Sequence, residues 1–423
     1  MHGAVLLDAA GDVVRPAIIW CDQRTEAQSD WLLNAIGLDR ILQLTCNPPL
    51  TNFTLTKLLW VRQHEPATWQ RVRHVLLPKD YVRFRLSGEH ATDVADASGT
   101  LMFDVARRNW SMEMVQAADI DPALLPLVFE SPEICATVSA EAATATGLRK
   151  GTPIVAGAGD QAAGAIGMGI TRPGSVSVTI GTSGVVFAAT DQPSLDPKGR
   201  LHTFCHAIPA RWHLMGVTQA AGLSLRWWRD LLREVGDDRG YEALAADAST
   251  VPSGSDGVLW VPYLMGERTP HLDPNVRAVL LGLSANHTRA HVARAVLEGV
   301  AFSLRDSLSI FSALGVPIRQ LRLGGGGARS PVWRQIQANV YGHPVETPVT
   351  SEGAAFGAAV LAGVGAGVWS TVDAACDEVV RAGGVTTPRS EDAAILNQRY
   401  DEYRRVYSAL KTVFLTMPSP VGV

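Results

Sequence analysis

The stretch Ser175–Ile180 (SVSVTI), Gly181–Gly184 (GTSG) and Val185–Ala189 (VVFAA) decides the architecture. Two runs rich in β-branched residues flank four small residues, which predicts a hairpin with a polar, glycine-edged tip. Pro173-Gly174, just ahead of it, is a natural break and puts a domain boundary near Thr171, dividing the chain into 1–171 and 172–423. Downstream, the pattern predicts a long helix over about 288–314, a strand over 320–323, four glycines at 324–327 and a helix beginning near Ser330. Upstream, Thr152–Ala156 reads as a buried strand, followed by a Gly-rich turn and a small-residue helix from Asp160 to about Met168. Earlier still come helices near 25–36, 54–64 and 80–86 and a strand over 72–77. Short apolar runs alternating with amphipathic stretches indicate an α/β protein whose sheets are covered by helices.

At 423 residues the chain exceeds what one core fills, because single cores stop growing at about 250–300 residues, so two domains are expected. Hydrophobic residues at 47% and charged residues at 18% exclude a disordered polar chain. The net charge is −4 without a block of like charge, which argues against nucleic acid as the main ligand. Cys21, Cys46, Cys135, Cys205 and Cys376 are scattered, odd in number and form no C-x-x-C pair. That excludes a disulfide framework and a zinc site and fits a reducing cytoplasm. His2, His206 and His271 lack metal-ligand spacing, and no metal site is assigned. Gly353–Val372 is free of charge over about the length of a bilayer, but five glycines break it. It reads as a tightly packed helix running into a Gly-rich loop, with no membrane partner.

Three Gly-rich turns are candidates for chemistry. Gly157-Ala158-Gly159-Asp160-Gln161-Ala162 imitates a dinucleotide fingerprint, but Asp160 at the helix start would repel a bare phosphate. Asp160 is either an N-cap that satisfies free backbone N–H groups or a general base; both roles are compatible. Gly181, Thr182, Ser183 and Gly184 offer backbone N–H groups and two hydroxyls as a nest for phosphate oxygens, or serve turn geometry only. Gly324–Ser330 follows a strand and opens a helix, where a flat nucleoside could lie on bare backbone, or where glycines simply allow close helix–strand packing. No G-x-x-x-x-G-K-[ST] occurs, which removes the P-loop class. Gly266–His271 (GERTPH) could be a surface loop with a local ion pair.

Taken together these residues resemble the FGGY family of carbohydrate kinases, nearest its xylulokinase branch. Thr54–Val61 (TLTKLLWV) is similar to the family's first signature, departing at Asn52. Gly282-Leu283, a seven-residue gap and then His291–Glu298 (HVARAVLE) fit the second signature throughout. The segments GDQAAGA from Gly159, GTSG from Gly181, YLMGERTPH from Tyr263 and GGGARS from Gly325 follow in the family's order.

The resemblance implies two actin-like ATPase (ribonuclease H-like) domains with an interdomain cleft, the first binding sugar and the second nucleotide. It implies an ATP-dependent sugar kinase that converts D-xylulose to D-xylulose 5-phosphate in pentose catabolism, with Mg2+ accompanying the nucleotide. Asp160 would take the proton from the sugar hydroxyl, and Met1, His2 and Gln161 would contact the sugar. Gly181, Thr182, Ser183 and Gly184 would meet the ATP phosphates, and Gly326, Gly327, Ala328, Arg329 and Ser330 the nucleoside. A kinase for a related ketose or polyol is the alternative within the same chemistry. A homodimer is compatible with the sequence, which does not itself fix an oligomeric state. Family members open with a strand and hairpin carrying D-x-G-T, and this chain begins beyond it. The first domain is therefore expected to be N-terminally truncated, with unpaired sheet edges. Either the start lies upstream of Met1, or the chain is a catalytically impaired, sugar-binding remnant.

Overall fold

The computed structural model describes residues 1–349 and 353–417. They form two compact units that are interleaved along the chain. The first holds Met1–Arg172, Ala189–Leu214 and the stretch from the helix Gly353–Gly365 to Val380; the second holds the other described residues. A division into the continuous pieces 1–171 and 172–423 takes no account of the two later segments that return to the first unit. Nothing local in their sequence says which unit they join, and packing reveals it.

In the first unit the strands between residues 5 and 155 pair two by two: Val5–Leu7 with His74–Leu76, Ala91–Asp93 with Leu127–Phe129, Phe103–Asp104 with Asn109–Trp110, and Ile134–Thr137 with Pro153–Val155. Helices Glu26–Ala35, Thr54–His64 and Pro78–Ser87 lie where the patterning puts them. The densest packing joins Asp160–Gly167 (DQAAGAIG) to Gly353–Gly365 (GAAFGAAVLAGVG). Small residues let the two backbones approach directly. A Cβ at Gly357 would fall 1.8 Å from the Ala163 carbonyl oxygen, and one at Gly167 would fall 2.0 Å from that of Gly353. No described helix is long and apolar enough to cross a membrane.

In the second unit one sheet sets the frame. The strand ending at Thr218 is followed across the sheet by Gly184–Thr190, Ser175–Ile180, Gln320–Gly325, Val345–Pro348 and Ala382–Thr386. Ser175–Ile180 runs antiparallel to Gly184–Thr190 and parallel to Gln320–Gly325, which is parallel in turn to Val345–Pro348. A hairpin followed by parallel crossovers is the expected ribonuclease H-like order. Gly184, expected in the turn, begins the second strand, and the strand from Gln320 runs two residues further than its apolar pattern suggests, through Gly324 and Gly325. Helix Arg289–Ala313 is the core of this unit, buried without interruption from Val292 to Leu304. Gly299 lets the Trp260 carbonyl oxygen within 2.1 Å of where a Cβ would stand.

Candidate active site

The second unit brings two of the Gly-rich turns together. Ile180 is the register partner of Gly325 in adjacent parallel strands, so the turns that leave them start side by side at the carboxyl ends, where open α/β sheets bind ligands. Gly222 and Leu223, at the start of helix Gly222–Glu234, donate N–H bonds to the carbonyls of Gly181 (2.8 Å) and Thr182 (3.0 Å). The first N–H groups of that helix are thus used to hold the loop. The loop's own amides turn the other way: among the described residues the N–H groups and hydroxyls of Thr182 and Ser183 have no partner, while Gly181 N–H donates to Ser183 O (2.9 Å). These amides and hydroxyls lie on a tip where Gly181 and Thr182 are exposed and Ser183 is half-buried.

The glycines of the neighbouring turn divide by role. A Cβ at Gly325 would fall 2.4 Å from the Ile180 carbonyl oxygen, and one at Gly327 would fall 2.7 Å from the Ile180 Cβ. Both therefore serve close packing against the strand Ser175–Ile180. Gly326 and Arg329 are exposed, and Ala328 is half-buried. Ser330 is the N-cap of helix Pro331–Tyr341, its Oγ accepting from Trp333 N–H at 3.3 Å, so its acceptor capacity is partly used by the fold.

GERTPH is not a surface loop with an internal ion pair. Thr269 N–H donates to Val217 O (3.0 Å) and Thr269 Oγ1 accepts from Val217 N–H (3.1 Å). Glu267 is buried, and its Oε1 accepts the backbone N–H groups of Gln219 and Arg268, both at 2.8 Å. Burial pushes the Glu267 carboxyl up to about 8, against the pull of those two bonds. Glu267 thus fastens the turn that delivers helix Gly222–Glu234 to the Gly181–Gly184 loop, a role the sequence did not suggest.

In the first unit Asp160 opens helix Asp160–Gly167, but the N-cap is Gly159. Asp160 is exposed, and among the described residues its carboxylate accepts no hydrogen bond. Its N–H points to Met1 Sδ at 3.0 Å, and a Cβ at Gly159 would fall 2.4 Å from Met1 Cε. Gln161 is exposed on the same turn. The carboxylate therefore does not cap the helix; it stands exposed at the helix N-terminus with no hydrogen bond among the described residues.

His2 is built in more firmly than its position suggests. Its carbonyl accepts from Thr54 Oγ1 (3.0 Å), and its ring lies edge-on to Phe204 with centroids 5.7 Å apart. Gly99 supplies the seat, since a Cβ there would fall 2.0 Å from Nδ1 and Cε1 of the imidazole. Asp96 lies beside the ring, within a charge cluster that sequence reasoning missed. Lys79 Nζ is 2.5 Å from Asp80 Oδ1, 2.5 Å from Asp93 Oδ1 and 3.9 Å from Asp96 Oδ2. Arg83 ties Asp80 (2.8 Å) to the Ala156 carbonyl (2.5 Å) at the end of the strand leading to Gly159. Burial raises both Asp93 and Asp96, but His2 and Lys79 hold Asp96 below the usual carboxylate range, while Asp93, less well compensated, stays above it. The signature lysine, Lys57, is structural: it is buried and donates to the carbonyls of Thr51 (2.7 Å) and Phe53 (3.2 Å). His206 Nε2 and His271 Nε2 are engaged with Ile170 O (2.9 Å) and Tyr263 Oη (3.0 Å), and no cluster suited to a metal ion occurs among the described residues.

Residues 1–167 match the N-terminal domain of the FGGY family of carbohydrate kinases, and residues 176–366 match its C-terminal domain. The chain is 42% identical to the xylulose kinase of Escherichia coli (strain K12) over 365 residues, 86% of this chain and 74% of that one. It is 36% identical to the xylulose kinase of Bacillus subtilis (strain 168) over 419 residues, 99% and 83% of the two. The crystal structure of a xyloylose kinase from Brucella ovis superposes with a TM-score of 0.91 at 34% identity, covering 98% of this chain and 84% of that one. With both halves of the family matched in order, the chain belongs to the FGGY family of carbohydrate kinases, phosphotransferases that act on an alcohol group.

Proposed function

We propose that the protein phosphorylates D-xylulose at its 5-hydroxyl, using Mg–ATP, in the cytoplasm. The observation that carries this reading is the free, exposed carboxylate of Asp160, on the residue whose backbone N–H meets Met1 Sδ. On this reading the first unit binds the sugar, with Met1, His2 and Gln161 against it, and the second binds the nucleotide. Asp160 takes the proton of the attacking hydroxyl, which then reacts in line with the γ-phosphorus while ADP leaves. The amides and hydroxyls of Thr182 and Ser183 hold phosphate oxygens, and Gly326–Ser330 borders the nucleoside. Mg2+ enters as part of the nucleotide substrate and offsets its charge.

The test is a panel of ketoses and polyols scored by kcat/KM from sugar-dependent ADP release. D-xylulose should lead. A better rate with gluconate or glycerol would overturn the sugar, and no sugar-dependent ADP release would overturn the kinase reading of this chain in favour of sugar binding alone.

The phosphate loop provides a second check. In Gly222→Ala the new Cβ would meet the Gly181 carbonyl oxygen at 2.3 Å, so the loop must shift although helix propensity improves. We expect the KM for ATP to rise about 10-fold or more, equivalent to about 1.4 kcal/mol, with the KM for the sugar little changed. Equal ATP affinity in the variant would remove the loop from the nucleotide site.

A further inference from the structure

We infer that Asp96 is a positioning residue that fixes the tautomer of His2, so that the imidazole presents a bare Nε2 as hydrogen-bond acceptor to the sugar. This deepens the function proposed above and rests on it only for the identity of the ligand.

The argument starts from the ring. His2 cannot slide, because Gly99 lies beneath it and Phe204 and Phe53 stand 5.7 and 6.3 Å away between centroids. What remains open is which nitrogen carries the proton. Nδ1 lies 3.1 Å from Asp96 Oδ1, somewhat off the line of a good hydrogen bond, and no other described group is bonded to it. A lone pair on Nδ1 facing an ionised carboxylate at that distance is repelled, whereas an N–H there is attracted. Asp96 stays ionised because Lys79 faces its other oxygen at 3.9 Å and the backbone N–H of His2 donates to Oδ1 at 3.4 Å. In the neutral ring the proton therefore sits on Nδ1. Nε2 is left bare, and among the described residues nothing bonds to it.

A sugar hydroxyl both donates and accepts, so the tautomer decides the direction of its bond. With Nε2 as acceptor, the hydroxyl that meets His2 must donate, and its own oxygen is free to accept from elsewhere. A partner on the far side of the imidazole fixing its orientation is a general device of histidine sites. Here a single buried carboxylate supplies it, itself held by Lys79 within a set that also contains Asp80, Asp93 and Arg83.

Long-range 1H–15N spectra at pH 8.5, with His2 identified by its loss in His2→Gln, test the assignment directly. The wild type should show the proton on Nδ1 and a bare Nε2, and Asp96→Asn should lose that single-tautomer signature. A proton on Nε2, or on both nitrogens, in the wild type overturns the proposal whatever the substrate. Should Asp96→Asn fail to fold, the wild-type spectrum still decides. The kinetic counterpart is a double-mutant cycle. Asp96→Asn should raise the KM for the sugar about 10-fold with the KM for ATP unchanged, and in a His2→Gln background it should change the sugar KM less than about 2-fold. Equal effects in both backgrounds would make Asp96 merely structural. If no sugar is turned over, the proposed function fails while the spectra still judge Asp96.

Discussion

Asp160→Asn should lower kcat by about 10²–10⁴, the usual worth of a general base, while leaving the KM for ATP and the melting temperature nearly unchanged. Asparagine matches the shape of aspartate but cannot take a proton at neutral pH. The position is exposed, its side chain accepts no hydrogen bond among the described residues, and the N-cap is the neighbouring glycine, so little stability depends on the charge. The loss should be at most about 1 kcal/mol, from the interaction of the anion with the helix N-terminus. Steady-state kinetics under saturating sugar and ATP, together with thermal denaturation, make the comparison. Turnover near the wild-type value would remove Asp160 from the chemistry, and a collapse of stability alongside activity would make it a structural residue.

The second large effect concerns folding. Gly357→Val should destabilise the first unit by about 4 kcal/mol or more, beyond ordinary overpacking, because the obstacle is backbone. The Cβ position lies 1.8 Å from the Ala163 carbonyl oxygen and 2.6 Å from its carbon, and no rotamer change relieves such a contact. The helices would have to separate, and one of them carries Asp160. Ala358, exposed on the same helix, is the control, and a serine there should be nearly silent. Denaturant titration of both variants reads the difference. A Gly357→Val protein as stable as the wild type would mean that the two helices do not pack in this way.

The extent to which sequence reveals this molecule differs from element to element. The hairpin over 175–189, the long helix and the small-residue helix were legible because each follows a local rule of period, branching or glycine content. Gly324 and Gly325 were not read as strand because glycine carries no strand signal; the strand is held there by pairing with Thr179 and Ile180. Asp160 was legible as the residue at a helix start, open to capping or to chemistry, and the cap proves to be Gly159. Asp96, Lys79 and Glu267 gave no local signal at all. Their roles come from which residues fold back upon them, Met1-His2 in the first unit and the Val217–Gln219 turn in the second. The return of 189–214 and 353–380 to the first unit is likewise a matter of long-range packing, which no window of sequence encodes.

The register that joins Ile180 to Gly325 also sets a schedule for synthesis. The hairpin is complete once the chain has been made to Thr190, but the strand that covers the outer edge of Ser175–Ile180 begins only at Gln320. At about 5–20 residues per second, the intervening stretch takes about 6–30 s to emerge. Throughout that interval the strand leading into the Gly181–Gly184 loop presents unpaired backbone groups, the kind of edge that recruits other chains. The same strand end that brings two turns together is therefore, for that interval, an edge open to aggregation and one on which a chaperone has time to act.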